Sequence, residues 1–139
     1  MTLAGTVGVM VKDPVMKHHI LVVDDEESIQ KLLETYFTRK GYKVSIAGTA
    51  AEAQRLVNEV PLHLIVLDIR LAGEDGLELL KSLRAEHPKL PIIILTGLGF
   101  DEDLLQRALK NGASGYTSKT LPLDLLLMEV HRVLKPVKA

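Results

Sequence analysis

The sequence predicts an α/β domain of three layers, in which helices cover both faces of a doubly wound, five-stranded parallel sheet. Its 139 residues, 47% of them hydrophobic and 25% charged, suit one domain with a single core. Short runs of branched apolar residues alternate along the chain with longer stretches of helical periodicity. Such alternation is typical of parallel strands joined by right-handed helical crossovers, and a closed barrel needs about eight such units.

The apolar runs also predict the order of the strands. Residues 20–23, 64–67 and 92–95 are continuous apolar runs, as expected of strands covered on both faces. Residues 43–47 alternate between polar and apolar, and residues 114–118 are mostly polar, so these strands belong at the edges. The order 2-1-3-4-5 satisfies both conditions. It is the flavodoxin-like order, whose ligand crevice lies beyond the carboxyl ends of strands 1 and 3.

Amphipathic stretches between the strands supply the helices. They end at Gly41, Pro61, Pro88 and Gly112, and the last one begins near Pro122. Leu125 and Met128 lie beside the apolar stripe of the last helix, as additional core, which we favour, or as part of a partner surface. The residues predicted to face the sheet include Ile29, Leu32, Leu33, Tyr36 and Phe37 in the first helix, Leu104, Leu105, Ala108 and Leu109 in the fourth, and Leu123, Leu126, Leu127, Val130 and Leu134 in the fifth.

Residues 18–135 form the predicted domain, after a leader of residues 1–17 that we expect to be flexible and before a tail of residues 136–139. His18 and His19 fall on opposite sides of an extended segment, which favours a solvated pair over a shared metal. No apolar run is long enough to cross a bilayer and we recognise no signal peptide, so we expect a cytoplasmic protein without membrane insertion.

The overall composition excludes several function classes. The 17 basic and 18 acidic residues leave a net charge of −1, which argues against direct nucleic acid binding. The absence of cysteine excludes disulfides, thiol catalysis and cysteine-ligated zinc. Other side chains must therefore supply the chemistry.

Reactive side chains are concentrated at one edge of the predicted sheet. Asp24 and Asp25 follow strand 1, while strands 3, 4 and 5 end at Asp68, Thr96 and Lys119. Each has an ordinary structural explanation when taken alone; Asp25, for example, suits the cap of the first helix. Three crowded carboxylates, however, repel one another unless a cation is present, and ligands that are all oxygen suit Mg²⁺. Asp68 is then a candidate nucleophile for a phosphoryl group whose charge Thr96 and Lys119 stabilise.

These residues lie in segments that closely resemble the receiver domain of two-component response regulators. The segments are ILVVDDE at 20–26, LIVLD at 64–68 followed by Gly76, IIILTG at 92–97 and GASGYTSK at 112–119. The resemblance implies that Asp68 accepts a phosphoryl group from a sensor histidine kinase or a phosphotransfer protein. It also implies Mg²⁺ ligation by Asp24, Asp25, Asp68 and the backbone carbonyl of Arg70, phosphoryl contacts from Thr96 and Lys119, and a switch formed by Thr96 and Tyr116, whose ring turns inward when the hydroxyl moves.

Two residues depart from the family pattern. Ala72 stands where the loop after the phosphoacceptor usually has proline, and Thr120 follows Lys119 where the family usually has a cis proline. A cis bond before a residue other than proline costs roughly 3 kcal/mol, so we predict a trans bond between Lys119 and Thr120.

The preferred function is a phosphorylation switch rather than a conventional enzyme. Modification of Asp68 is expected to alter binding of an output partner or domain through helix 4, strand 5 and helix 5, in a monomer or a phosphorylation-dependent dimer. One alternative is a Mg²⁺-dependent phosphatase of the haloacid dehalogenase type, although its Asp-x-Asp-x-Thr pattern is not found at residues 24–28. The other is a module of receiver shape that is never phosphorylated.

Overall fold

The computed structural model describes residues 17–71, 73–97, 101–120 and 122–134, and within them the chain alternates between strands and helices. The strands of the main sheet are β1 (His19–Val23), β2 (Lys43–Ala47), β3 (Leu64–Asp68), β6 (Ile92–Thr96) and β7 (Gly115–Ser118). The helices are α1 (Glu27–Arg39), α2 (Ala50–Glu59), α3 (Gly76–Glu86), α4 (Glu102–Lys110) and α5 (Leu123–Val133). Two further short strands, β4 (Arg70–Leu71) and β5 (Glu74–Asp75), form a separate antiparallel hairpin between β3 and α3.

The main sheet has the order β2-β1-β3-β6-β7 with parallel pairing throughout, which is 2-1-3-4-5 when only its own strands are counted. The fold prediction is therefore confirmed. Every residue of β1, β3 and β6 is buried, whereas the edge strands β2 and β7 are only partly so. Burial on both faces explains why only the three central strands have continuous apolar sequences.

The core lies in two layers, one on each face of the sheet. Residues of α1 and α5, among them Leu33, Phe37 and Leu126, pack on one face. Residues of α2, α3 and α4, among them Val57 and Leu80, pack on the other. This three-layer arrangement leaves the carboxyl ends of the strands uncovered by helices, and the reactive side chains lie there.

Some predicted core positions are exposed instead. Leu32 and Leu109 are 47% and 45% exposed, so their assignment to the inward face was wrong. Leu32 directly precedes the buried Leu33, and Leu109 directly follows the buried Ala108. Because successive helix residues are rotated by about 100°, each of the two lies at the edge of the buried face rather than within it. Leu125, next to the buried Leu126, and Met128 are also exposed, on α5, so the favoured assignment of these two residues to the core was wrong.

The beginning of β1 is more buried than its histidines suggested. His19 is only 5% exposed, and its Nε2 lies 2.7 Å from Oγ of Ser45 on the neighbouring strand β2. Its backbone N–H donates to Nδ1 of His63 at 2.9 Å. The expectation that both histidines are solvated was therefore wrong for His19.

Part of the sequence-based domain assignment falls on residues without a description. The leader, apart from Lys17, and residues 135–139 lie outside the described residues, as does Ala72. Among the helices that are described, none combines the length and the apolar character needed to cross a membrane.

Candidate functional site

The parallel sheet brings together the side chains that follow its strands. Asp24 follows β1, Asp68 and Thr96 end β3 and β6, and all three are buried. Lys119 follows β7, and its backbone N–H donates to the carbonyl of Thr96 at 2.7 Å. The resulting pocket, about 310 Å³ in volume, is lined by Asp25, Glu26, Asp68, Arg70, Thr96, Gly97 and Lys119.

The ammonium group of Lys119 lies among three carboxylates. Its Nζ is 2.8 Å from Asp24 Oδ2, 2.7 Å from Glu26 Oε1 and 3.0 Å from Asp68 Oδ2. Burial alone would lower the pKa of Lys119, but the contacts with the three carboxylates outweigh burial and raise it. The side chain therefore remains a cation at any physiological pH.

Asp24 is the most deeply buried acid of the site. Its Oδ1 accepts a hydrogen bond from the backbone N–H of Glu26 at 2.9 Å, and its backbone carbonyl accepts one from the Gln30 amide. Its Oδ2 has no hydrogen bond of good geometry, although it pairs with Lys119. Burial raises the pKa of Asp24, the charge of Asp68 raises it further, and the contacts with Lys119 and Glu26 oppose both. Removal of this carboxylate from water is thus only partly compensated by the protein.

The carboxylates at this edge are suitable ligands for a divalent cation. One oxygen each from Asp24, Asp25 and Asp68 lies within 4.8 Å of the other two. Asp25 is exposed, which leaves room for water ligands, and the buried Oδ2 of Asp24 lacks a hydrogen-bond donor of good geometry. Hard oxygen ligands with an open side fit Mg²⁺, which usually keeps several waters. Asp25 does not cap α1, since Glu26 occupies that position and makes no side-chain capping bond.

Asp68 is held at the end of β3 by the loop that follows it. Its Oδ1 accepts a hydrogen bond from the backbone N–H of Arg70 at 3.0 Å, and its Oδ2 faces Lys119. The hairpin then turns the chain back towards α3, and Gly76 N–H donates to the carbonyl of Ile69 at 3.0 Å. A Cβ atom at Gly76 would lie 2.4 Å from that carbonyl oxygen, so only glycine permits this approach. The hairpin therefore fixes the position of Asp68.

The hairpin is also joined to α2. Glu74 Oε1 accepts a hydrogen bond at 3.0 Å from the backbone N–H of Ala50, the first residue of that helix. A negative charge at a helix N-terminus is favourable. Sequence analysis did not predict the hairpin or this contact, because both depend on a turn that brings Glu74 beside a helix 24 residues away.

The loop after Lys119 turns without the family's proline. The described residues contain no cis peptide bond, so the Lys119–Thr120 bond is trans, as predicted. Ser118 Oγ accepts a hydrogen bond from Thr120 N–H at 3.1 Å and lies 2.7 Å from Thr120 Oγ1. These local bonds shape the turn and keep Lys119 directed into the pocket.

Tyr116 lies on β7, on the face of the sheet that α2, α3 and α4 cover. Its ring packs against that core layer, and its buried hydroxyl has no hydrogen-bond partner among the described residues. Burial raises the pKa of this phenol, and the charge of Asp101 at the start of α4 adds to the effect. The ring therefore lies between the sheet and the helices that cover this face.

Sequence reasoning missed one member of the site. Glu26 was assigned no role from the sequence, yet its carboxylate is the nearest of the three to the Lys119 ammonium. A run of four acidic residues at 24–27 was the available signal. Which of the four would point inward depends on how β1 leads into α1, and the sequence does not reveal that.

Comparison with known proteins places the fold and site in context. TorR, the TorCAD operon transcriptional regulatory protein of Escherichia coli O157:H7, is 39% identical over 119 residues, or 86% of this chain and 51% of TorR. The receiver domain of NtrX from Brucella abortus superposes with a TM-score of 0.79 at 32% identity, covering 85% of this chain and 99% of that one. A response regulator from Burkholderia pseudomallei, solved with a phosphorylated aspartic acid and a calcium ion, gives a TM-score of 0.74 at 29% identity over 81% of this chain and 66% of that one.

The chain spans about half the length of the curated relatives it matches. The response regulator receiver domain model matches residues 20–131. Receiver domains of response regulators are signalling domains rather than conventional enzymes, and they interact with histidine kinases and output domains. With this match, the predicted strand order and the acidic site at the carboxyl edge of the sheet, the chain belongs to the response regulator receiver domains, which act as phosphorylation-controlled signalling switches.

Proposed function

We propose that Asp68 is the residue of this chain that accepts the phosphoryl group. The observation that carries this proposal is the placement of one Asp68 oxygen, Oδ2, 3.0 Å from Lys119 Nζ in a pocket that opens to solvent. Asp68 is 4% exposed and ends a central strand, so its carboxylate is held in one place. A nucleophile fixed beside a cation is arranged for phosphoryl transfer, which depends mainly on positioning and charge stabilisation.

In the transfer step a carboxylate oxygen of Asp68 forms the new bond to phosphorus. The bond between phosphorus and the donor nitrogen of a phosphohistidine breaks, and its electron pair returns to the imidazole. The Lys119 ammonium and the Thr96 hydroxyl then contact the phosphoryl oxygens and balance part of their charge. Mg²⁺, held by Asp24, Asp25, Asp68 and the Arg70 carbonyl, would supply further charge neutralisation when bound.

We also propose that the signal leaves the site through Thr96 and Tyr116. A phosphoryl group that draws the Thr96 hydroxyl towards Asp68 vacates space beside β6, and the Tyr116 ring moves into it. The Tyr116 hydroxyl has no partner in the described part of the chain, so such a movement breaks no hydrogen bond of that hydroxyl. The altered surface of α4, β7 and α5 would then bind an output partner or domain, or a second copy of the chain.

Intact mass measurement tests the phosphoacceptor. Incubation of the chain with a small phosphodonor and Mg²⁺ should give one phosphoryl adduct, and Asp68→Asn should abolish it. Asp103→Asn is a matched control, because Asp103 is an exposed acid on α4 whose nearest cation lies 3.9 Å away. An undiminished adduct in Asp68→Asn would refute the assignment. Consumption of the phosphodonor without an adduct would favour the phosphatase instead, and no reaction would favour the unphosphorylated module.

A further inference from the structure

Lys119 makes more ionic contacts than the proposed phosphoryl transfer requires. Its ammonium carries three N–H donors, and three carboxylates, those of Asp24, Glu26 and Asp68, lie within 3.0 Å of it. Asp24 and Asp68 are buried, but the Glu26 side chain is 57% exposed. The site thus holds two acids that are fixed in the protein and one at its surface.

Glu26 and Asp68 each accept a hydrogen bond from the Lys119 ammonium, and the buried Asp24 oxygen, 2.8 Å away, occupies its remaining side. One carboxylate has to be released before the ammonium can bind phosphoryl oxygens. Release of Glu26 costs least, because water can solvate its exposed carboxylate, whereas a buried acid left without its partner pays a large desolvation cost. Glu26 is therefore the acceptor that exchanges.

We infer that Glu26 is a positioning residue that holds Lys119 in the unphosphorylated site and competes with the phosphoryl group for its ammonium. The inference rests on the proposed role of Asp68 and adds a control of the phosphorylation rate. Glu26 acts through Lys119 and needs no contact with the phosphoryl group. Its position next to the start of α1 keeps the carboxylate within reach of Lys119 without burying it.

The competition predicts that loss of the Glu26 contact accelerates phosphorylation. With Mg²⁺ saturating for every variant, Glu26→Gln should react with a small phosphodonor about twofold to fivefold faster than the unaltered chain, as expected for an ion pair with one exposed partner. Glu27→Gln is the matched control. It removes the same charge one residue away, and the described structure gives Glu27 no ion pair with Lys119.

A third variant separates competition from simple repulsion of the phosphodonor. Glu26→Asp keeps the negative charge but withdraws the carboxylate by about 1.5 Å, the length of one carbon–carbon bond. The shortened side chain then lies beyond hydrogen-bonding distance of Lys119. Competition predicts that Glu26→Asp is accelerated like Glu26→Gln. Repulsion predicts the rate of the unaltered chain for Glu26→Asp, and that result would overturn the inference.

The ammonium resonance of Lys119, measured by NMR without Mg²⁺ or phosphodonor, provides a readout independent of phosphorylation. Its exchange with water should be slow in the unaltered chain and in Glu27→Gln, and faster in Glu26→Gln. An unchanged resonance in Glu26→Gln overturns the inference by itself. Equal phosphorylation rates for Glu26→Gln and Glu27→Gln overturn the competition while leaving Asp68 as phosphoacceptor. A chain that takes up no phosphoryl group overturns both.

Discussion

Replacement of Gly76 by alanine should move the loop that holds Asp68. The new Cβ would lie 2.4 Å from the Ile69 carbonyl oxygen and 2.6 Å from two further backbone atoms of Ile69, where ordinary contact begins at 3.4 Å. All three are backbone atoms rather than the end of a flexible side chain, so the two backbone segments have to separate by about 1 Å. Overpacking of this kind costs about 1–3 kcal/mol. The Gly76 N–H to Ile69 carbonyl hydrogen bond would be lost as well, for about another 1 kcal/mol.

Urea unfolding and phosphorylation kinetics together test this expectation. Gly76→Ala should reduce the free energy of unfolding by about 2–4 kcal/mol and should slow phosphorylation of Asp68, the neighbour of Ile69. Gly97→Ala is the control for unfolding, because among the described residues a Cβ there would meet only Lys119 Cδ, at an ordinary 3.6 Å. The reasoning would be refuted if the two variants unfolded within about 0.5 kcal/mol of each other.

Three further outcomes are expected. Mg²⁺ should raise the melting temperature by binding the folded state. Asp25→Asn should weaken this effect, and it should raise the metal-free melting temperature because it reduces repulsion among the three carboxylates. A lower metal-free melting temperature in Asp25→Asn would contradict this. Burial lowers the pKa values of His19 and His63, so the unfolded chain binds more protons and the free energy of unfolding should fall as the pH drops below about 6.5. In acid-unfolding measurements His63→Asn, which retains an acceptor for the His19 N–H, should make this free energy depend less on pH. An unaltered pH dependence would count against this pair of histidines. Arg84→Met should cost about 1–3 kcal/mol in urea unfolding, because the guanidinium donates twice to the Gly112 carbonyl at the end of α4; a cost near zero would show that solvent replaces these bonds.

The pattern of apolar residues was sufficient to predict the fold. Continuous runs such as 64–67 can be stable only between two covering layers, while the alternating segment 43–47 suits an edge, and these two facts limit the strand order. The gathering of Asp24, Asp68, Thr96 and Lys119 followed, because parallel strands all end at the same edge of the sheet.

Helix periodicity predicted which helix residues are buried, but less precisely than the apolar runs predicted the buried strands. The stripe in α1 correctly contained Leu33 and Phe37 but also Leu32, which is exposed. A residue about 100° from a buried neighbour can lie on either side of the rim, and the orientation of the helix on the sheet decides which. The sequence carries no direct signal of that orientation.

The tertiary structure decided which residues share the charge of Lys119. Glu26 and Lys119 are 93 residues apart, and they meet only because β1 and β7 end at the same edge and α1 begins at Glu27. His19 is buried for a similar reason, since its partner Ser45 lies in β2 and its partner His63 directly precedes β3, the two strands beside β1. Local sequence thus determined the strands, their order and the chemistry at their ends, because burial and alternation act along the chain. The pairing of individual charges depended on the assembled sheet, because ion pairs and hydrogen bonds require positions in space that no local pattern specifies.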